Sequence, residues 1–218
     1  MVEACGVPHT EVDLMVVDGE SVGFDYQVQH GDRIAVYPVF ESFDITPIVK
    51  VRPEPLRRIA FVADNHLGRL ARFLRLLGFD TVYDPSWDDD ELAEIVSREG
   101  RILLTRDIEL LKRNAVTHGY FVRAKDPRHQ VVEVARRFHL DEETDPFTRC
   151  MVCNQRLDPV EKAEIRNHIP ERTGQRIKEY KRCVGCGKIY WRGSHHDDLA
   201  RIVETVARTR HPGAQSNP

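Results

Sequence analysis

Two short apolar runs that each end at an aspartate set the frame for this chain. Ile59-Ala60-Phe61-Val62-Ala63 stops at Asp64, and Ile102-Leu103-Leu104-Thr105 is followed by Arg106 and Asp107. Short aliphatic and β-branched runs bounded by polar residues read as buried strands. Helical spacing fills the intervals: Leu67, Leu70, Ala71, Leu74 and Leu77 precede a stop at Gly78, and Asp88-Asp89-Asp90-Glu91 opens a second helix with Leu92, Ile95 and Val96 on its apolar face. Thr81-Val82-Tyr83 is a short strand between them. Beyond Asp107 come a helix through Leu110 and Leu111, a strand near Tyr120-Phe121-Val122, and a helix carrying Val131, Val134, Ala135 and Phe138. The alternation predicts an α/β fold, a parallel sheet flanked by helices, over residues 57–145. In such sheets ligands bind beyond the carboxyl ends of the strands, the edge where Asp64 and Asp107 fall.

Two carboxylates at one edge make a hard-oxygen site suited to Mg²⁺ or Mn²⁺. One residue of Asp88 to Asp90 is expected to complete it. Asp89 is the first choice, three residues before Leu92, and Asp90 the second. The competing readings are structural, since an aspartate run at a helix start is commonly a cap and an aspartate after a strand commonly forms a turn. Convergence of three acids on one edge favours the metal reading. A divalent ion there lowers the pKa of bound water and neutralises charge on a phosphate undergoing transfer.

Four cysteines carry the most specific spacing. Cys150 and Cys153 form one C-x2-C pair, Cys183 and Cys186 a second, with 29 residues between them. Paired in this way in a reducing compartment, they point to structural Zn²⁺ rather than disulfides. Four thiolates leave no open position for water, so catalytic zinc is not expected. Cys5 stands alone and reads as a packing residue.

Charge is distributed unevenly although the net value is −3. Residues 1–50 hold two basic and nine acidic side chains, and residues 147–194 hold eleven and five. The protein is no polycation, but the cysteine-bearing segment, read as a zinc ribbon over 146–198, has the basic excess of a phosphate-binding surface. Lys181, Arg182, Lys188 and Arg192 interleave there with Tyr180, Tyr190 and Trp191, a combination suited to single-stranded RNA. One of the two rings Tyr190 and Trp191 is expected to pack the ribbon instead. Arg69, Arg72 and Arg75 recur on the first helix, either as phosphate contacts or as a solvated face. His195 and His196, after a Gly-Ser turn, read as a surface loop.

Residues 1–50 read as a small acidic β-rich unit. Val12 to Val17 is a strand ended by Asp18-Gly19, Ser21 to Tyr26 a possible return, and Arg33 to Tyr37 a third strand. By pattern alone this is a hairpin appendage. It also resembles the later part of a ubiquitin-like β-grasp module, with too few residues before Val12 for that fold's first hairpin and whole helix. Pro47, Pro53 and Pro55 mark a linker, and 209–218 is a tail of disordered composition. No run is long and apolar enough for a membrane span, and no signal pattern opens the chain, so a cytoplasmic protein is expected.

FVAD (Phe61 to Asp64), LGRLARFLRLLGFD (Leu67 to Asp80), DDDEL (Asp88 to Leu92) and GRILLTRD (Gly100 to Asp107) together resemble the Mut-seven C-terminal RNase domain, a family of PIN-like nucleases. The likeness continues through CMVCN (Cys150 to Asn154) and CVGCGKIYWRGSHH (Cys183 to His196), matching that family's zinc ribbon, with the β-grasp fragment as a companion module. The resemblance implies a PIN-like sheet, a Mg²⁺ or Mn²⁺ site at Asp64, Asp89 and Asp107, and RNA as substrate, with tRNA and ribosome-associated RNA among the candidates. Where many relatives have an apolar residue after the first acid, this chain has Asn65-His66. A competing class is a non-catalytic RNA- or ribosome-binding protein on the same fold. A third reading makes the acidic residues 1–50 an interaction module that docks on the basic ribbon or on a protein partner.

Overall fold

The computed structural model describes residues 2–37, 51, 59–169, 177, 179–191 and 194–208. Contacts group the chain into two compact units, residues 1–66 with 85–121, and 67–84 with 122–218.

In the first unit, β1 (Leu14–Val17) and β2 (Glu20–Val22) form an antiparallel hairpin, with β3 (Ile34–Tyr37) antiparallel on the other side of β1. Asp18 and Gly19 both have positive φ, the backbone that a two-residue turn needs to match strand twist. Val12, Met15 and Val51 pack beneath the sheet. Cys5 is exposed, which corrects the expectation that it packs inside.

β4 (Ala60–Ala63) and β6 (Ile102–Thr105) are buried along their whole length and pair in parallel, Phe61 opposite Ile102. β7 (Gly119–Phe121) continues in parallel on the far side of β6. β5 (Asp80–Val82) belongs to the second unit. Continuous apolar runs, rather than alternation, mark β4 and β6 because both faces are covered. The helix α2 (Asp89–Glu99) packs on β4 and β6, and α3 (Ile108–Leu111) on β6 and β7. The N-terminal module is not detached from this sheet. Its 3-10 turn His9–Glu11 meets β7, where Glu11 Oε1 accepts the Phe121 N–H at 3.0 Å. His9 Nε2 donates to the Val116 carbonyl at 2.8 Å.

In the second unit, α1 (Gly68–Leu76) and α4 (Pro127–Arg137) pack together. Asp126 caps α4, with Pro127 in its first turn, where a missing N–H costs nothing. The cysteine-bearing segment folds as an antiparallel sheet of β8 (Leu157–Pro159), β9 (Tyr180–Cys183) and β10 (Ile189–Trp191), with β9 central. A one-turn helix, α5 (Lys162–Ile165), follows β8. Ser194–Ala207 is a helix, α6, packed on α4, so His195 and His196 lie in a helical turn and not in a loop. Its buried Ile202 and Val206 carry it past the expected ribbon boundary at 198. The expected tail, 209–218, lies outside the described residues.

Candidate functional site

β4 and β6 pair side by side in parallel, so their carboxyl ends share one edge of the sheet, the edge at which ligands bind in such folds. Asp64 directly follows β4, and Asp107 follows β6 by two residues.

Asp64 is only 6 % exposed, and its N–H extends the ladder to the Leu104 carbonyl at 3.0 Å. Its Oδ1 accepts the His66 N–H at 2.9 Å, and its Oδ2 accepts the Thr105 hydroxyl at 2.6 Å. The Thr105 oxygen in turn accepts the Asp107 N–H at 2.9 Å. One buried hydroxyl therefore joins the two strand-end aspartates. Thr105 carries no signal of this role in the sequence, because a β-branched residue closing a strand needs no further explanation. The Asp107 side chain is exposed and caps α3 by accepting the Glu109 N–H at 2.8 Å. A carboxylate offers about four lone-pair sites. Asp64 and Asp107 therefore keep acceptor capacity beyond these bonds, and as anionic hard-oxygen donors they fit a divalent cation.

The aspartate run divides its tasks. Asp88 is the N-cap, its Oδ1 taking the Asp90 and Glu91 N–H groups at 3.0 Å, while Glu91 completes a capping box by accepting the Asp88 N–H. That leaves Asp89 and Asp90 free of capping, and both are exposed. Arg113 reaches them from beyond α3, with Nη2 3.5 Å from Asp89 Oδ2 and Nη1 on Asp90 Oδ1. The hydrogen bond that Arg113 donates to the Asp90 carboxylate raises the pKa of the guanidinium. Among the described residues, only the four cysteines bring three or more potential ligand atoms within 4.8 Å of one another.

Those cysteines converge from two tight knuckles. Cys150 and Cys186 sulfurs lie 3.6 Å apart, and Cys153 and Cys183 sulfurs 3.3 Å. A tetrahedral ion with Zn–S bonds of about 2.3 Å needs sulfurs about 3.8 Å apart, so the cluster fits zinc with little adjustment. The Cys153 and Cys186 N–H groups point back to the first sulfur of their own knuckles, at 3.5 and 3.4 Å. Burial pushes the Cys150 thiol up, but the Tyr190 hydroxyl at 3.1 Å and backbone N–H groups prevail and lower it to about 6. Burial pushes Cys183 up to about 12. Tyr190 thus serves the cluster, and Trp191 is half-buried against Tyr180 with ring centroids 6.4 Å apart.

The basic residues separate by environment. Arg69 and Arg72 are exposed on α1. Arg75 is 5 % exposed and bonded to backbone carbonyls, which removes it from the expected RNA-facing trio. Lys181 Nζ donates to the Phe147 carbonyl at 2.9 Å, Arg182 is half-buried, and Lys188 is exposed. Arg192 lies outside the described residues.

Comparison with protein families matches residues 59–203 to the Mut7-C RNAse domain and residues 1–44 to Mut7-C ubiquitin. No curated protein and no solved structure matches the chain. With the first match covering more than half of its length, the chain belongs to the Mut7-C RNAse domain family and carries a Mut7-C ubiquitin-like domain ahead of it.

Proposed function

We propose that this protein is a ribonuclease that hydrolyses RNA phosphodiesters at the β4–β6 edge. The observation that carries the reading is the hydrogen-bonded chain from Asp64 through Thr105 to Asp107 at the carboxyl ends of the paired strands β4 and β6. Asp64 and Asp107 would hold a Mg²⁺ or Mn²⁺ ion, with Asp89 completing the set. The ion supplies a more acidic bound water and neutralises phosphate charge. The chain's own contribution is orientation: the Thr105 hydroxyl and the His66 N–H lock the Asp64 carboxylate, and the helix cap fixes Asp107. The four cysteines hold one structural Zn²⁺, and four thiolates close its coordination. Exposed Arg69, Arg72 and Lys188, with Arg182, Trp191 and Arg192, are assigned to RNA contact. A tRNA or ribosome-associated RNA is the substrate class. Reduced cysteines suit a cytoplasmic setting, and no helix among the described residues is long and apolar enough to cross a membrane.

Arg113 on Asp89 favours a second reading, a non-catalytic RNA- or ribosome-binding zinc protein whose acidic edge is neutralised internally. Asp64→Asn and Asp107→Asn decide between them. Under the nuclease reading both variants lose Mn²⁺-dependent cleavage of a total tRNA or ribosomal RNA substrate and retain the RNA in a filter assay. Wild-type protein inert toward RNA with every divalent ion supports the binder.

A further inference from the structure

Arg75 stands at the end of a leucine-rich helix, almost wholly buried, where a lone cation would be costly. Its guanidinium is accounted for by backbone carbonyls. Nε donates to Thr81 at 2.8 Å, and Nη1 donates to Val152 at 2.7 Å and to Met151 at 3.3 Å. Met151 and Val152 are the two residues between Cys150 and Cys153, so one planar fork spans from β5 to the first cysteine knuckle. Three neighbouring side chains repeat the connection. Asn154, with φ +68°, accepts the Thr81 N–H at 3.1 Å and donates to Asp80 Oδ1 at 2.8 Å. Arg149 donates to the Gly78 carbonyl at 3.0 Å, and its Nη2 lies 3.5 Å from Asp80 Oδ2. The ends of the LGRLARFLRLLGFD and CMVCN stretches are thereby tied into one network.

A zinc ion with four thiolates carries a net charge of −2, and a buried anion of that kind requires nearby positive charge or donors. Burial works against the charge on Arg75, while the Cys150 and Cys153 thiolates, followed by Asp80, work for it. Lysine could bring the charge but not the two-directional fork.

We propose that Arg75 is a positioning residue of the four-cysteine site: it fixes the Cys150–Cys153 knuckle through its two carbonyls and compensates the tetrathiolate charge, so that zinc retention depends on α1 and β5. The proposal rests on the zinc assignment made above. Groups outside the ligand set that orient ligands typically change metal affinity by about 10- to 100-fold when replaced.

The test uses the full chain loaded with zinc, titrated with a chromogenic chelator, for wild type, Arg75→Met, Arg75→Lys and Leu74→Ala. Leu74 is fully buried on the same helix and serves as a control for loss of stability alone. Arg75→Met is expected to weaken zinc retention about 10- to 100-fold, Arg75→Lys to recover part of that loss, and Leu74→Ala to change it by less than about threefold. Absorption of the cobalt-substituted proteins should keep the four-thiolate signature throughout. Arg75→Met retaining zinc within twofold of wild type overturns the proposal, as does Leu74→Ala matching its loss. Should Arg75→Met fail to fold, Arg75→Lys decides: several-fold weaker retention supports the role, and wild-type retention refutes it. A wild-type chain that binds no zinc removes the zinc assignment itself, an outcome distinct from zinc bound equally by wild type and Arg75→Met.

Discussion

Replacing Thr105 with valine keeps nearly the same shape at a fully buried position and deletes only the hydroxyl that joins Asp64 to Asp107. The bond to the Asp64 carboxylate, at 2.6 Å, is to a charged acceptor, and such bonds contribute about 1.5–3 kcal/mol. The Asp107 N–H also loses its acceptor, at a cost of about 1 kcal/mol or more where water is excluded. The additional buried methyl offsets about 0.8 kcal/mol. The net expectation is a loss of about 2–3 kcal/mol, which for a chain of this size lowers the melting temperature by roughly 4–12 °C. Urea denaturation of the zinc-loaded protein measures it, with Thr105→Ser as the companion that keeps the hydroxyl. The serine variant should also keep Mn²⁺-dependent RNA cleavage, whereas valine should lose it because the Asp64 carboxylate is no longer locked. Stability of the valine variant within about 0.5 kcal/mol of wild type, below any cost assigned to the lost bonds, would refute the reasoning. So would a serine variant that falls as far.

Arg113→Ala frees Asp89 and Asp90 of their resident cation, and Mn²⁺ affinity measured by calorimetry should tighten about two- to fivefold, the scale of an exposed ion pair; unchanged or weaker binding argues that Asp89 has no part in the site. Gly78 has φ +99°, and a Cβ there would collide with the Asp145 carbonyl oxygen, so Gly78→Ala should destabilise by about 2 kcal/mol or more in a denaturant melt. The Glu99 carboxyl is held below its ordinary 4.5 by hydrogen bonds from Arg101 and then Arg98. Its contribution to stability is therefore complete above that value and fades as pH falls through the lowered one. Glu99→Gln should flatten the acid limb of stability below pH 4.5 and leave it parallel to wild type above.

Much of the architecture was legible because its signals are local. Apolar runs of four or five residues, helical spacing and the Asp18-Gly19 turn are properties of neighbouring residues, and the strands and helices formed close to where those patterns lie. The helix at Ser194–Ala207 shows its period in Leu199, Ile202, Val203 and Val206, but the Gly193-Ser194 pair and the two histidines at its start carry a turn signal that masks it. The arginine trio contained its own warning. Each three-residue step on a helix falls about 60° short of a full turn, so Arg75 is turned about 120° from Arg69, toward the apolar side. It was buried accordingly.

The sequence by itself determined the elements, the two cysteine knuckles and the acids that end β4 and begin the helices. Those follow from spacing along the chain and from side-chain type. Only the tertiary structure decided that β4 and β6 pair side by side, that Thr105 joins Asp64 to Asp107, that Arg113 holds Asp89, and that Arg75 donates to the carbonyls of the first knuckle. Each of these joins residues brought together by packing rather than by chain neighbourhood. A hydrogen bond or ion pair forms only where atoms come within about 3–4 Å of one another, and sequence distance carries no such metric.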